Sequence, residues 1–145
     1  MTDIRWTPSL VEERLVEAAD VLKRLPERKA QGYFNTWPAM SYEFSDLAGR
    51  AATLSRPPPS SDAIRRMEET LTWTIGLDQV DAKIVWLRAS GVRWKTICSK
   101  VGLARAAAHE HWLYALCVIA VRLSGRRLPR NCSRRRVIAE VRAAN

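Results

Sequence analysis

The sequence predicts an all-α protein, a helical bundle with a C-terminal helix-turn-helix and a basic C-terminal arm. Three observations predict this class. Apolar residues recur at spacings of three and four along much of the chain, only six of the 145 residues are glycine, and no run alternates valine or threonine with polar residues. A chain of this length has room for one proper hydrophobic core but not for two large ones.

The helix-turn-helix is predicted over residues 94–123. Gly102 ends its first helix, since glycine takes a positive φ at no steric cost and lets the chain turn within three residues. The second helix begins near Ala104, and its apolar stripe leaves one face of its first turns for a ligand. That face carries Arg105, Ala106, His109 and Glu110. In DNA-binding units this part of the second helix enters the major groove, although the same layout also occurs in helical proteins that never bind DNA.

Charge favours the nucleic-acid interpretation. Residues 83–145 hold fourteen Lys and Arg against two acids, a net charge of +12, whereas residues 1–82 hold ten against thirteen, a net charge of −3; together they give +9. Surplus charge could simply keep the protein soluble, but solubility does not require segregation along the sequence. A polyanion explains the segregation better, so we expect double-stranded DNA as the partner.

Residues 1–55 are predicted to be an N-terminal helical and aromatic interaction region. Thr7 and Pro8 make a good helix start and Pro26 stops the helix, which gives a first helix over residues 8–25. Large aromatic residues then follow without helical periodicity, among them Tyr33, Phe34, Trp37 and Tyr42. We expect this half to support a homo-oligomer, or contact with a polymerase or a packaging motor, because helix-turn-helix proteins usually act as dimers or rings.

A proline-rich linker at residues 56–61 is predicted to separate this region from a four-helix unit over residues 62–123. Ser61 or Asp62 caps the first helix of that unit, and Asp78 caps the second. The apolar residues expected to face the core before the helix-turn-helix are Leu10, Leu15, Ala18, Leu22, Leu25, Ile64, Met67, Leu71, Ile75, Val80, Ile84 and Leu87.

The stretch 124–145 is predicted to be a basic arm. It holds seven arginines against one acid, with a short apolar patch at Val137 and Ile138, and so adds little to the core. The arm is either a disordered tail that aids solubility or a set of phosphate contacts, since arginine clusters match phosphate geometry.

No pattern of residues indicates an enzyme. His109 and His111 flank Glu110, but two residues along a helix rotate by about 200°, so the two imidazoles cannot chelate one metal ion. The motifs GxxxxGK[ST], HExxH and GxSxG are absent, and so are paired metal-binding cysteines. We therefore expect no catalytic residue, no metal and no cofactor.

The remaining expectations concern the cellular compartment of the protein. The three cysteines, Cys98, Cys117 and Cys132, are odd in number and lack CxxC spacing, which favours reduced thiols in the core. There is no signal peptide and no apolar run of 18 residues. The expected location is therefore the cytoplasm, in association with the nucleoid and away from membranes.

One run resembles a known DNA-binding unit. The run GLARAAAHEHWLYAL is similar to the turn and recognition helix of region 4 in bacterial sigma factors and related response-regulator domains, with Arg105 and Ala115 where such domains carry arginine and alanine. Three longer runs, VEERLVEAADVLKRLP, RMEETLTWTIGLDQVDAKIVWLRASGVRWKTI and WLYALCVIAVRLSGRRLP, resemble an uncharacterised family from alphaproteobacteria, their prophages and gene-transfer-agent-like clusters. The resemblance implies a phage-type DNA-handling role and supplies no catalytic residues.

Few side chains on the second helix are suited to reading bases. Arg105 suits a guanine, Ala106 a thymine methyl group and Glu110 a cytosine amine, so most of the affinity would come from phosphates and sequence specificity would be weak. The residues predicted to contact DNA are Arg93, Lys95, Lys100, Ala104, Arg105, Ala106, His109, Glu110, Arg126, Arg127, Arg130, Arg134, Arg135 and Arg136.

The predicted function is that of a transcriptional regulator of phage or gene-transfer-agent type. Two alternatives stay open. One is DNA recognition during packaging, as in a small terminase subunit, and the other is a protein–protein interaction module that contacts a polymerase or a motor. The sequence does not determine the DNA site, the oligomer number or the choice between activation, repression and packaging.

Overall fold

A computed structural model describes residues 4–25 and 56–145, which form six α-helices and, within those ranges, no β-strand. The prediction of an all-α protein is confirmed. The predicted aromatic region at residues 26–55 lies outside the described residues. The helices are α1 (Pro8–Arg24), α2 (Ser61–Thr72), α3 (Gln79–Ala89), α4 (Trp94–Val101), α5 (Arg105–Leu123) and α6 (Arg134–Ala143).

Side-chain caps explain where several of these helices begin. The Thr7 hydroxyl accepts from the Leu10 amide at 3.2 Å, with Pro8 in the first turn of α1. The cap of α2 is Ser60, whose hydroxyl accepts from the Ala63 amide at 3.2 Å, so the prediction of Ser61 or Asp62 was wrong by one or two positions. Since the hydroxyl must reach an amide three residues ahead, the choice among neighbouring polar residues depends on local geometry.

Helix α5 lies at the centre of the molecule. It contacts α1, α3, α4 and α6, and all six of its residues from Ala115 to Ala120 are buried. Val11 and Leu15 of α1 and Val85 of α3 pack against this central segment. A helix that is covered on several sides must be apolar around most of its circumference, which is what this segment of the sequence provides.

Helix α1 shares this core and is not a separate N-terminal unit. It packs against α2 as well as α3 and α5. The Arg66 guanidinium of α2 donates to the Glu17 carboxylate of α1, with a shortest distance of 2.6 Å, and this hydrogen bond lowers the pKa of Glu17. The proline-rich stretch therefore does not divide α1 from the later helices, because the apolar face of α1 is buried only against them.

Some of the residues predicted for the core lie at the surface. Leu22, Leu71, Ile75 and Val80 are exposed, and Ile75 keeps 73% of its accessible area. Small or β-branched residues replace them: Val11, Ala19, Val21, Ala63 and Thr70 are buried. Helices α1 and α3 each pack against more than one neighbour, so their buried faces are rotated from the stripe that a search for large apolar residues selects.

The predicted basic arm contains helix α6, which packs on α5. Val137 and Ile138 are buried in a cluster with Cys117, and Leu128 and Cys132 pack against the same cluster. The expectation that the arm adds little to the core is therefore wrong. Val137, Ile138 and Val141 lie on one face of a short helix, and the surrounding arginines conceal that pattern in the sequence.

Within the described ranges, no helix combines the length and the apolar character needed to cross a membrane.

We predict that replacing Gly102 with valine lowers the free energy of unfolding by about 2 kcal/mol, because Gly102 has a φ of +70° that a β-branched residue adopts only with strain. No atom lies within 4 Å of a Cβ built at this position, so the cost comes from the backbone and not from a clash. Chemical denaturation measures the change. Ser99→Val is the control, since Ser99 is exposed inside α4; equal losses in the two variants would contradict the prediction.

Candidate nucleic-acid interface

The turn between α4 and α5 has the geometry that its glycine permits. Gly102 adopts the left-handed conformation, and the amides of Gly102 and Leu103 both donate to the Cys98 carbonyl, at 2.9 and 3.3 Å. Ala104 is extended, and α5 begins at the next residue. Ile97 of α4 is buried against Ala108 of α5, so packing as well as the turn fixes the angle between the two helices.

The first turn of α5 is exposed. Ala104, Arg105 and Ala106 all lie at the surface, and Arg105 is the first helical residue. No side chain caps this end of the helix and no acid occupies its first turn, so its amides keep the positive end of the helix dipole at the surface. Three cations predicted to contact phosphates are exposed on the preceding segment: Arg93, Lys95 and Lys100.

The structure places His109 in an aromatic cluster. Its imidazole lies 5.4 Å from the Trp94 ring and 5.5 Å from the Trp112 ring, measured between centroids, although the residue as a whole is exposed. The Arg88 guanidinium lies over the Trp94 ring of this cluster, 5.3 Å from its centroid. His109 therefore supports the packing of α4 on α5 as well as lying at the surface.

Glu110 faces α6. Its carboxylate accepts from the Arg135 guanidinium at 3.3 Å, and Glu110 itself is half-buried. Arg135 was predicted as a phosphate contact and Glu110 as a base contact, and the structure brings the two together across two helices. An ion pair of this kind reduces the capacity of the carboxylate to accept from a base.

A three-residue bridge links α3, α5 and α6. Asp81 is buried, with 2% of its side chain exposed, and its Oδ1 lies 2.5 Å from Nδ1 of His111. The Arg134 guanidinium donates to Nε2 of His111 at 2.8 Å. Because a guanidinium can only donate, Nε2 accepts in this arrangement and Nδ1 donates to Asp81. This Asp81–His111–Arg134 bridge holds the start of α6 against the core.

Sequence reasoning missed this bridge. The sequence placed Arg134 among the residues predicted to contact DNA. In the structure, Arg134 donates to His111 and its guanidinium lies over the Tyr114 ring, 5.5 Å from the ring centroid. Asp81 was not singled out at all. Thirty residues separate Asp81 from His111, and no local pattern marks a pair that only the packing of α3 on α5 brings together.

The remaining predicted arginines differ in their surroundings. Arg126, Arg127 and Arg130 are exposed in the segment that joins α5 to α6. Arg136 is exposed and pairs with Glu140 one turn later on α6, at 3.1 Å. The fourteen predicted contacts therefore fall into an exposed set near the turn and the α5–α6 connection, and a smaller set that is engaged in ion pairs or hydrogen bonds.

An open groove separates the first turns of α5 from α6. We call it the α5–α6 groove; it is lined by Ala106, His109, Glu110, Leu113, Arg135, Ile138, Ala139 and Arg142. The α5–α6 packing also buries Cys117, and this burial raises the pKa of its thiol to about 11, which keeps the thiol protonated and unreactive. Arg142 and Ala139, both exposed, were not among the predicted contacts.

A comparison with protein-family models gives one match, which covers residues 23–119 and therefore most of the chain. The chain belongs to the DUF6362 family. That family is described as a domain of unknown function. No curated protein and no solved structure matches the chain. The matched region of this DUF6362 protein includes the α4–α5 turn, Asp81 and His111, whereas Arg134 and α6 lie beyond its end.

Two further observations concern metal-binding groups and thiols in the described part of the DUF6362 protein. Residues 4–25 and 56–145 contain no cluster of three or more His, Cys, Asp or Glu that could hold a metal ion. All three cysteines are free thiols, with Cys117 buried and Cys98 and Cys132 half-buried.

We predict that replacing His111 with alanine lowers the free energy of unfolding by about 3 kcal/mol, because the buried Asp81 carboxylate loses its hydrogen-bond partner and α6 loses its anchor. Thermal or chemical denaturation measures the loss. His109→Ala is the matched control, the same substitution at an exposed position two residues earlier, and we expect it to cost about 1 kcal/mol or less. Similar losses in the two variants would contradict the role assigned to the bridge.

Proposed function

We propose that this DUF6362 protein binds double-stranded DNA through a helix-turn-helix made of α4, the Gly102 turn and α5, with the first turn of α5 in the major groove. The observation that carries the proposal is the contrast along α5. Residues Ala115 to Ala120 are buried, whereas Ala104, Arg105 and Ala106 are exposed at an uncapped helix end. Backbone amides at such an end favour phosphate oxygens, and small side chains allow close approach.

The charges near this end support the proposal. Arg93, Lys95, Lys100 and Arg105 are exposed on α4 and at the start of α5. Residues 83–145 contain only two acids, and each of them pairs with an arginine of α6: Glu110 with Arg135, and Glu140 with Arg136. The surface around the turn therefore keeps its positive potential, which attracts a polyanion and steers its approach.

Base reading in this proposal depends mainly on Arg105. The Glu110 carboxylate is engaged by Arg135, and the His109 ring lies against two tryptophans, so neither is as free as an isolated recognition side chain. Arginine is well suited to guanine because it donates two hydrogen bonds to the O6 and N7 acceptors. We therefore propose modest sequence specificity on top of strong phosphate binding.

The biological role that we propose is transcriptional regulation of phage or gene-transfer-agent type, supported by the likeness of residues 102–116 to region 4 of sigma factors. DNA recognition during packaging is the alternative. Selection of bound fragments from the source genome separates the two. Enrichment of fragments next to promoters supports regulation, whereas enrichment of one site beside packaging genes supports the alternative.

We also propose a homo-oligomer formed through residues 1–55, in which the same region contacts a polymerase or a packaging motor. In the described part of that region, Ile4, Val16 and Leu22 are exposed apolar residues. Apolar side chains at the surface are available for burial between copies. Sedimentation of the full chain gives the assembly state, and a monomer at micromolar concentration would argue against this part of the proposal.

We predict that Arg105→Ala weakens binding to the preferred site by about 1–3 kcal/mol and leaves binding to unrelated DNA almost unchanged, because a base-edge contact carries sequence information. Fluorescence anisotropy with both DNAs measures the two affinities. Arg65→Ala is the control, since Arg65 is also an exposed arginine, lies on α2 and pairs with Asp62. An equal loss on both DNAs would make Arg105 a phosphate contact.

We predict that replacing Arg126, Arg127 and Arg130 together with glutamine lowers the magnitude of the slope of log K against log salt by about 3, since each phosphate contact releases condensed counterion worth about 0.9 in slope. Affinity should fall equally on every DNA sequence. Circular dichroism should show unchanged helicity, because these side chains are exposed. An unchanged slope in a folded variant would exclude this segment from the interface.

A further inference from the structure

The α5–α6 groove is lined by side chains of two kinds. Ala106, Leu113, Ile138 and Ala139 contribute small or apolar surface from the two helices. The cations Arg135 and Arg142 and the imidazole of His109 line the same groove. The carboxylate among the lining residues, Glu110, is already paired with Arg135. The groove therefore combines apolar surface with cationic side chains.

The two walls are held in place before any ligand arrives. Val137 and Ile138 anchor α6 on α5 through the cluster around Cys117. The Asp81–His111–Arg134 bridge fixes the start of α6 to α5 and α3. A preorganised groove loses less conformational entropy on binding than a flexible arm does, so its cations contribute more affinity for each contact.

The position of the groove beside the start of α5 indicates which ligand it binds. Ala106 and His109, which line the groove, lie in the first two turns of α5. The exposed Arg105 lies in the same part of the helix. A duplex that accepts the start of α5 in its major groove carries a sugar–phosphate strand along each side of that helix. One of these strands would run past α6. Deoxyribose suits small apolar walls, and phosphate oxygens match the geometry of arginine.

We propose that the α5–α6 groove holds one sugar–phosphate strand of the duplex, with Arg142 as a phosphate contact and Ala139 against a sugar. This inference rests on the proposed function, because it places the strand relative to α5 in the major groove. It also changes the role of the C-terminal segment. In place of a flexible basic arm, α6 is a rigid second wall of the DNA interface, and among the arginines of α6 only those that line the groove contribute to this wall.

An acidic peptide is the competing occupant, since its carboxylates would suit the same arginines. The continuity of the groove with the start of α5 favours DNA. A peptide that filled the groove would need no contact with Arg105, and its affinity would not depend on Lys95 and Lys100 of α4. The experiment below separates the two occupants.

The first arm of the test compares Arg142→Ala with Arg136→Ala in the full chain. Both arginines are exposed on α6 and both substitutions remove one positive charge, but only Arg142 lines the groove. We expect Arg142→Ala to weaken duplex binding about eightfold at 0.1 M salt and to reduce the salt slope by about 0.9, the effect of one lost phosphate contact. Arg136→Ala should bind within about twofold of the original protein, because Arg136 pairs with Glu140.

The second arm changes the wall itself. Ala139→Glu places a negative charge in the groove, and Ala139→Gln places a neutral side chain of the same length there. We expect the glutamate variant to bind DNA about tenfold more weakly than the glutamine variant, since it adds repulsion next to the strand. Ala139 is exposed on α6, and circular dichroism of both variants checks that the helix is retained.

The outcomes distinguish a failure of the groove proposal from a failure of the proposed function. Equal losses for Arg142→Ala and Arg136→Ala, or equal binding by the two Ala139 variants, would overturn the groove while Arg105-dependent DNA binding stands. Failure of the original protein to bind any duplex would overturn both. Weaker binding of an acidic peptide by the Arg142 variant, with duplex affinity unchanged, would assign the groove to protein.

Discussion

The structure depends on the burial of helix α5. Four other helices cover it, and its central segment from Ala115 to Ala120 has no exposed residue. A helix in that position cannot keep a polar face along its length, so its polar and exposed residues are confined to its ends. This constraint leaves the first turn at Ala104 and Arg105 as the part of α5 best placed to meet a ligand. The location of the candidate interface follows from the packing of the core.

A buried carboxylate, that of Asp81, fixes the position of the basic helix α6. Asp81 lies inside the bundle, where a charged group without a partner would be costly, and His111 supplies the partner. The other nitrogen of the same imidazole accepts from Arg134, so the requirement to satisfy Asp81 extends to the start of α6. The core thereby orients a basic helix beside α5, and a polar interaction inside the protein shapes a surface outside it.

The arginines of the C-terminal half differ in their structural roles. Arg134 is a structural residue, Arg135 and Arg136 balance the two acids of this half, and the arginines between α5 and α6 are exposed. Three acids of α1 and α2, Glu17, Asp20 and Asp62, are likewise paired with arginines. Net charge alone therefore overstates the number of cations available to a polyanion, and the arrangement of the pairs decides which ones remain.

The sequence by itself determined the helical class, the Gly102 turn and the start of α5, because helical periodicity, proline and glycine act within a few residues of one another. It also determined the charge asymmetry of the two halves. Only the tertiary structure decided that α1 shares the common core, that Leu22 and Ile75 lie outside it, and that Arg134 and Glu110 face other side chains. These features depend on contacts between residues far apart in the chain, and no local pattern records which helix faces will meet.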